Sequence, residues 1–177
     1  MTRTPLLALM AGLVIAGAAA AAVWAAAPPP TRPVSTSFYS GRWYEIARVP
    51  NAGQRDCHAA SSQFTGTAAG AFKVSQICHK GSASGPARVF NTTGRVLPGT
   101  NAAKFEMSFF GGIRKQEYWV LDCSADGAWA IMATPGGNYV WLMSRKARMD
   151  AAAQARVVSR IRALGYRQKL EFPAQAG

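Results

Sequence analysis

Residues 41–48 read Gly-Arg-Trp-Tyr-Glu-Ile-Ala-Arg, and far downstream residues 141–145 read Trp-Leu-Met-Ser-Arg. The first stretch places Gly41 just before Trp43, and the second ends at Arg145. A guanidinium over an indole ring gains about 1 kcal/mol at a partly desolvated site. The two stretches therefore favour a fold in which the start of one strand lies beside the end of another.

The rest of the chain reads as short runs of β-forming residues separated by Gly, Pro and Asn. Alternation is clearest at Phe105, Met107 and Phe109, which share one face while polar residues occupy the other. We expect strands at residues 42–49, 58–65, 71–79, 87–96, 103–109, 116–122, 128–134 and 139–144.

Eight consecutive short strands predict an all-β fold, either a sandwich or a barrel. Contact between the two stretches quoted above favours the barrel, an eight-stranded antiparallel up-and-down one. The last strand of such a barrel closes onto the first, so Trp43 and Arg145 are expected to meet at one end. After the eighth strand, Asp150 can cap one α-helix that ends before Gly165, and its apolar stripe predicts packing on the outside of the barrel. Residues 166–172 are predicted to form a short ninth strand.

Gly41, Trp43 and Arg145 in these positions resemble the motif of the lipocalin family. In that family a Gly-x-Trp begins the first strand, and an Arg at the end of the last strand stacks over the Trp. Residues 104–111 and 118–122 look like the central strands of bacterial and apolipoprotein-D-like lipocalins, and the second segment departs from the usual Thr-Asp-Tyr motif of the wider family. The resemblance covers residue 38 to the C-terminus and implies a role in membrane maintenance under stress.

The N-terminal region has the features of a secretory signal. Arg3 supplies a positive charge, residues 6–23 form an apolar run, and Val23-Trp24-Ala25 offers a cleavage site. The run is also long enough for an uncleaved membrane anchor. No Cys lies near the cleavage region, so lipid anchoring is not expected. The predicted organisation is a signal peptide over residues 1–25, a Pro-rich linker over residues 26–37 and the lipocalin domain over residues 38–177, in a periplasmic or secreted protein.

The formal net charge of +12 makes the surface strongly basic. The sequence has no Lys/Arg runs, no helix-turn-helix pattern and no aromatic-basic repeat, so nucleic acid is not an expected partner. Anionic lipid head groups are a more natural counter-charge for an exported protein. A membrane surface is therefore a candidate for a second partner, because its charge is opposite to that of the protein.

Three cysteines in an exported chain allow one disulfide and one free thiol. A hairpin turn centred between Thr67 and Ala68 would place Cys57 opposite Cys78, within reach of a disulfide after small adjustment. This register predicts the Cys57–Cys78 pair and leaves Cys123 free.

The same register places Asp56 opposite His79, with His58 on the same face. Two histidines and a carboxylate could hold a metal. An ordinary polar strand end is the favoured interpretation, so no metal site is predicted. The sequence contains no paired acidic motif and no Gly-x-Ser-x-Gly, so no catalytic residue and no cofactor are predicted either.

The interior of an eight-stranded barrel holds one small ligand. If Trp43 and Arg145 face inward at the closed end, alternation also turns Ala47 inward. The expected ligand-binding residues are Glu45, Phe105, Met107, Phe109, Tyr139, Trp141 and Met143. Glu45 is expected to be paired with a Tyr or Arg, because an unpaired buried charge is costly. The alternative is that these residues fill the barrel as packed core.

The sequence therefore predicts a carrier of a fatty acid, a lysophospholipid or a similar small hydrophobic ligand, and not an enzyme. Two other classes stay open: a barrel enzyme that uses Cys123 or the histidines, and an envelope protein with a filled barrel whose basic surface binds membrane or a partner. A free, inward-facing Cys123 would favour the enzyme. A cavity too small for an acyl chain would favour surface binding.

Overall fold

The computed structural model describes residues 26–67 and 70–175. Within them, eight antiparallel strands form a closed barrel in sequence order. The strands are β1 (Gly41–Arg48), β2 (Cys57–Gly66), β3 (Ala71–Lys80), β4 (Ala87–Val96), β5 (Lys104–Phe109), β6 (Arg114–Cys123), β7 (Trp129–Ala133) and β8 (Val140–Ser144). The predicted fold class is confirmed. The predicted signal peptide, residues 1–25, lies outside the described residues.

Strand β1 closes the barrel by pairing with β8, with Tyr44 opposite Ser144 and Arg48 opposite Trp141. A β-bulge interrupts this ladder between Glu45 and Ala47. Because a bulge resets the alternation of side chains, Ala47 packs in a second hydrophobic cluster on the outside of the barrel, which we call the outer cluster. Its buried members are Ala27, Ile46, Ala47, Val49, Leu121, Ile131, Ala133, Val140, Leu142, Val157, Ile161, Tyr166 and Leu170. The predicted inward orientation of Ala47 is therefore wrong.

The helix α1 (Ala151–Ala163) packs on the outside of the barrel, as predicted. The Asp150 carboxylate accepts a hydrogen bond from the Ala153 backbone N–H at 2.9 Å, and the chain turns away at Gly165, whose φ is +99°. Val157 and Ile161 are buried in the outer cluster. Within the described ranges, no helix is long and apolar enough to cross a membrane.

Residues 166–172 do not form the predicted ninth strand. Only Glu171 makes an isolated antiparallel bridge, to Arg48 at the end of β1. The carbonyl groups of Tyr166 and Gln168 instead accept hydrogen bonds from the Arg162 guanidinium, at 2.8 and 2.6 Å. A side chain from the helix thus satisfies backbone groups that a ninth strand would have paired.

A short 3-10 helix, Thr36–Tyr39, closes one end of the barrel. The Phe38 and Tyr39 side chains are buried, and the Tyr39 ring stacks on the Phe72 ring with centroids 4.9 Å apart. The predicted linker also touches the barrel, because Val34 is buried and its N–H donates to the Asn101 carbonyl at 2.9 Å. We call this end of the molecule the closed end.

The Cys57–Cys78 disulfide is confirmed, with 5.4 Å between the two Cα atoms. The register predicted for the β2–β3 hairpin is wrong. Cys78 lies opposite Ala60, and Cys57 lies opposite Lys80 after a bulge. The bulge brings two diagonal residues within bonding distance, so the correct pair forms in a shifted register.

Candidate ligand-binding cavity

A cavity of about 390 Å³ lies inside the barrel, toward the end opposite the 3-10 helix, which we call the open end. Its apolar lining consists of Phe64, Val74, Phe90, Phe105, Met107, Phe109, Phe110, Tyr118, Met132, Trp141 and Met143. Its polar lining consists of Glu45, Asn51, Gln54, Ser62 and Gln76. The volume falls within the range of about 300–1,000 Å³ typical of small-molecule sites.

Six of the seven predicted ligand-binding residues line this cavity, namely Glu45, Phe105, Met107, Phe109, Trp141 and Met143. Tyr139 does not line it. Tyr139 precedes β8 and packs against the outer cluster, although its ring approaches that of Trp141 with centroids 6.0 Å apart. Alternation along β8 does not extend to Tyr139, because this residue belongs to the loop before the strand.

Several lining residues were not identified from the sequence. Tyr118 faces inward because it lies opposite Phe105 in the β5–β6 ladder, and their rings stack with centroids 5.5 Å apart. The alternation of β6 would have indicated Tyr118 if its register with β5 had been known. Gln54 and Phe110 come from loops at the open end, where no periodic pattern indicates which side chains turn inward.

Glu45 is a buried carboxylate on the cavity wall, with 8% of its surface exposed. Its Oε2 lies 2.8 Å from Arg48 Nη1, which is the pairing with an Arg expected from the sequence. Burial raises the pKa of the Glu45 carboxyl, and the charge and hydrogen bond of Arg48 oppose that shift. Arg48 in turn pairs with Glu171 and donates to the Cys57 carbonyl at 2.9 Å. The charge at Glu45 is therefore held within a buried network.

The loop between β1 and β2 covers one side of the cavity and is tied to its interior through Gln54. The Gln54 Nε2 donates to Glu45 Oε1 at 2.5 Å, and its Oε1 accepts from Trp141 Nε1 at 3.1 Å. Asn51 Nδ2 also donates to Gln54 Oε1, at 2.6 Å. These bonds hold the loop against the cavity wall.

A smaller chamber of about 300 Å³ adjoins the apolar cavity and shares Glu45, Gln54 and Gln76 with it. Its lining is mixed, because Arg88 and Lys80 line only this chamber, together with apolar residues such as Ile77 and Val89. Basic side chains therefore lie beside the apolar cavity at the open end.

The closed end contains the structural motif expected from Gly41, Trp43 and Arg145. The Arg145 guanidinium lies over the Trp43 ring, 3.8 Å from its centroid. Gly41 has a φ of +72°, and a Cβ at this position would lie 3.3 Å from Arg145 Nη1. The glycine therefore leaves room for the arginine that seals the barrel.

Cys123 is the one free cysteine in the described ranges. It is half-buried, and burial together with the neighbouring Asp122 carboxylate raises the pKa of its thiol. A raised pKa lowers the thiolate fraction at neutral pH, which is the opposite of what a nucleophilic cysteine requires.

His58 contacts Asp56 as the predicted register implied, but His79 does not lie opposite Asp56 and makes a different hydrogen bond. His58 Nε2 lies 3.1 Å from Asp56 Oδ1, while His79 lies opposite Ala59 and its Nδ1 is 2.8 Å from the Gly85 carbonyl. Within residues 26–67 and 70–175, no group of three His, Cys, Asp or Glu side chains is placed to hold a metal ion.

Solved structures with the same fold include insecticyanin from the tobacco hornworm Manduca sexta, with a TM-score of 0.64 and 16% sequence identity over 86% of this chain and 89% of that one. Lobster apocrustacyanin A1 gives a TM-score of 0.61 and 11% identity over 86% and 92% of the two chains. The cockroach allergen Per a 4 gives 0.61 and 19% identity over 85% and 96%. At these identities the likeness concerns the fold alone.

No curated protein matches the sequence. The family model described as a lipocalin-like domain matches residues 34–175, which is most of the chain. Together with the closed eight-stranded barrel, this match shows that the chain belongs to the lipocalin-like family.

Proposed function

We propose that this protein binds and carries a small hydrophobic ligand, a fatty acid, a lysophospholipid or a similar molecule, by reversible enclosure in the barrel. The observation that carries the proposal is the apolar cavity of about 390 Å³, closed at one end by the 3-10 helix. Burying ten methylenes gains about 8 kcal/mol before the costs of ordering, so micromolar affinity is expected.

The cavity also bears on the two alternative classes. Its volume favours a carrier over an envelope protein with a filled barrel. The raised pKa of the Cys123 thiol disfavours its use as a nucleophile, which favours a carrier over an enzyme that uses this cysteine.

The proposed setting is the periplasm or the extracellular space, without a lipid anchor and with a role in envelope maintenance. The Cys57–Cys78 disulfide supports export, because disulfides persist mainly in oxidising compartments. The likeness of residues 104–111 and 118–122 to bacterial and apolipoprotein-D-like lipocalins supports the same setting. Mass spectrometry of protein from the periplasmic fraction tests it, since a chain that lacks residues 1–25 is expected there.

The binding proposal is tested by titration with a fluorescent long-chain fatty acid, followed through quenching of tryptophan emission. Trp141 lines the cavity, so bound ligand is expected to quench it saturably. Met107→Lys and Phe109→Asp each place an unpaired charge against the ligand and are expected to abolish binding. Met107→Leu conserves volume and apolarity and is the matched control, expected to retain binding.

Circular dichroism checks that each variant is folded. Absence of saturable binding by the wild type, across fatty acids and lysophospholipids, would refute the carrier function. Equal affinity of wild type and a folded Met107→Lys variant would refute the assigned site.

A further inference from the structure

Large apolar side chains are exposed at one end of this molecule. Among the residues that the structure describes, the exposed large hydrophobics are Val89, Phe90, Phe110, Ile113 and Phe172, with exposed fractions of 57%, 39%, 63%, 89% and 51%. Val89 and Phe90 lie in the open-end half of β4, and Phe110 and Ile113 lie in the loop between β5 and β6. Phe172 lines an outer cleft together with the β1–β2 loop, at the same end.

The arrangement of the β5–β6 loop keeps this apolar surface exposed. Phe110 has a φ of +52°, a backbone conformation that residues other than Gly rarely adopt. Gly111 and Gly112 follow with φ of +67° and +102°. The Phe110 ring lies 5.6 Å from the Phe90 ring, centroid to centroid, and both rings line the cavity. The exposed apolar surface is therefore continuous with the apolar interior.

Strand pairing also opens the barrel wall here. The β4–β5 ladder runs only from Thr93 opposite Ser108 to Val96 opposite Phe105, so the first part of β4 extends beyond it at the open end. Val89 and Phe90 belong to that first part. The cavity thus has an apolar mouth that extends between two strands.

Basic side chains flank the mouth. Arg114 lies opposite Phe109, and Arg88 lies two residues before Phe90 on β4. Both arginines are exposed, and neither makes a salt bridge with an acid in the described part of the chain. Two acids have exposed side chains at this end: Asp56 is hydrogen-bonded to His58, and Glu171 pairs with Arg48. The mouth therefore combines exposed apolar groups with two arginines that pair with no acid among the described residues.

We propose that the open end docks on an anionic lipid bilayer, with Phe110 and Ile113 entering the head-group region and Arg88 and Arg114 contacting lipid phosphates. Apolar side chains interleaved with arginines are the combination that binds the interface of an anionic membrane. The exposed apolar side chains surround the cavity opening and the arginines flank it, an arrangement that matches the hydrocarbon and the phosphates of a bilayer surface. Docking in this orientation lets an apolar ligand pass between bilayer and cavity without crossing water.

The first test is co-sedimentation of the full chain with sucrose-loaded vesicles. Vesicles of phosphatidylcholine alone are compared with vesicles that also contain phosphatidylglycerol. The wild type is expected to partition about tenfold more strongly onto the anionic vesicles, and Ile113→Asp and Arg114→Glu each to lower this partition by about fivefold or more. The matched controls at the closed end are Thr67→Asp and Arg148→Glu, which make the same charge changes and are expected to stay within about twofold of the wild type.

A second measurement reports on the mouth itself, independently of any contribution from residues 1–25. Phe110→Trp adds an indole at the proposed contact, and brominated lipids are expected to quench the added emission. Sedimented protein whose added indole is not quenched, or equal loss of partition in the open-end and closed-end variants, would overturn the proposal. A dimer that Ile113→Asp dissociates, without vesicle binding by the wild type, would also overturn it and identify a second copy as the partner.

The test of membrane docking can fail or succeed independently of the test of the carrier function. Met107→Lys changes the cavity and leaves the exposed mouth residues intact, so this variant is expected to sediment with anionic vesicles like the wild type. Vesicle binding without ligand binding, or ligand binding without vesicle binding, therefore distinguishes the two proposals.

Discussion

The Arg145 guanidinium covers the Trp43 ring at 3.8 Å from its centroid and joins the end of β8 to the beginning of β1. Its Nη1 donates to the Ser40 carbonyl at 2.6 Å, and its Nη2 donates to the Ser37 carbonyl at 2.8 Å. The Trp43 Nε1 donates to the Phe38 carbonyl at 2.9 Å. One cation thus fixes both the ring and the 3-10 helix that closes the barrel.

Arg145→Ala is expected to lower the free energy of unfolding by about 1–3 kcal/mol, because the cation–π contact and the carbonyl hydrogen bonds are lost. Ligand affinity should stay nearly unchanged, since Arg145 does not line the cavity. Urea unfolding measures the free energy of unfolding, and ligand titration measures the affinity. Arg42→Ala, at an exposed position on β1, is the control. An unchanged midpoint for Arg145→Ala would contradict the role of this arginine.

Gly94→Ala is expected to destabilise the barrel by about 1–3 kcal/mol through overpacking. A Cβ on Gly94 would lie 2.4 Å from Phe72 Cε2 and 3.0 Å from Met107 Sδ, so the core would have to shift. Gly66→Ala is the matched control, because its nearest neighbour would be 3.6 Å away. Thermal unfolding compares the melting temperatures of the two variants. Equal melting temperatures would show that the core accommodates the added methyl group without loss of stability.

The Cys57–Cys78 disulfide should appear in peptide mapping without reduction, with Cys123 recovered as the alkylated cysteine. Replacing Cys57 and Cys78 together with Ala is expected to lower stability by about 3 kcal/mol, because the bond closes a loop with a sequence separation of 21 residues. Cys123→Ala is the control and should not change the mapped pair. Recovery of a Cys57–Cys123 linkage would disprove the assignment.

The pH dependence of the free energy of unfolding should report the raised pKa of the Glu45 carboxyl. Burial raises the pKa of its carboxyl, so the folded state binds this proton more tightly than the unfolded state, whose Glu pKa is about 4.3. The stabilisation of the folded state by protonation of Glu45 is therefore fully present below about pH 4.3 and is lost as the pH rises through the folded-state pKa. Urea unfolding between pH 4 and pH 8 should show a wild-type stability that falls relative to Glu45→Gln with rising pH. Parallel profiles would show that the pKa of Glu45 is not raised.

Cys123 should react slowly with iodoacetamide at neutral pH, because burial and the Asp122 carboxylate raise the pKa of its thiol. The rate should increase with pH up to a midpoint above that of the same cysteine in guanidinium chloride. Asp122→Asn removes the neighbouring charge and should lower that midpoint, although Asp122 also pairs with Arg160 and the variant needs a check of folding. A thiol that reacts faster in the folded protein than in the unfolded one would contradict this prediction and support the enzyme hypothesis.

The sequence by itself determined the strands and the helix, because these depend on local patterns, and the two motifs that contain Trp43 and Arg145 indicated how the barrel closes. Alternation along β5 identifies Phe105, Met107 and Phe109 as one face, and all three line the cavity. Asp150 and Gly165 mark the two ends of the helix, because capping and left-handed conformations depend on single residue types.

Only the tertiary structure decided registers, bulges and partners distant in sequence. One bulge turns Ala47 outward, and another lets Cys57 reach Cys78 although the predicted register was wrong. The pairing of Arg48 with Glu171 likewise depends on where the C-terminal segment lies against β1. Local alternation fixes the face of a side chain only until a bulge resets it, and no local pattern records which distant group satisfies a buried charge. Those choices are made when the strands pack together.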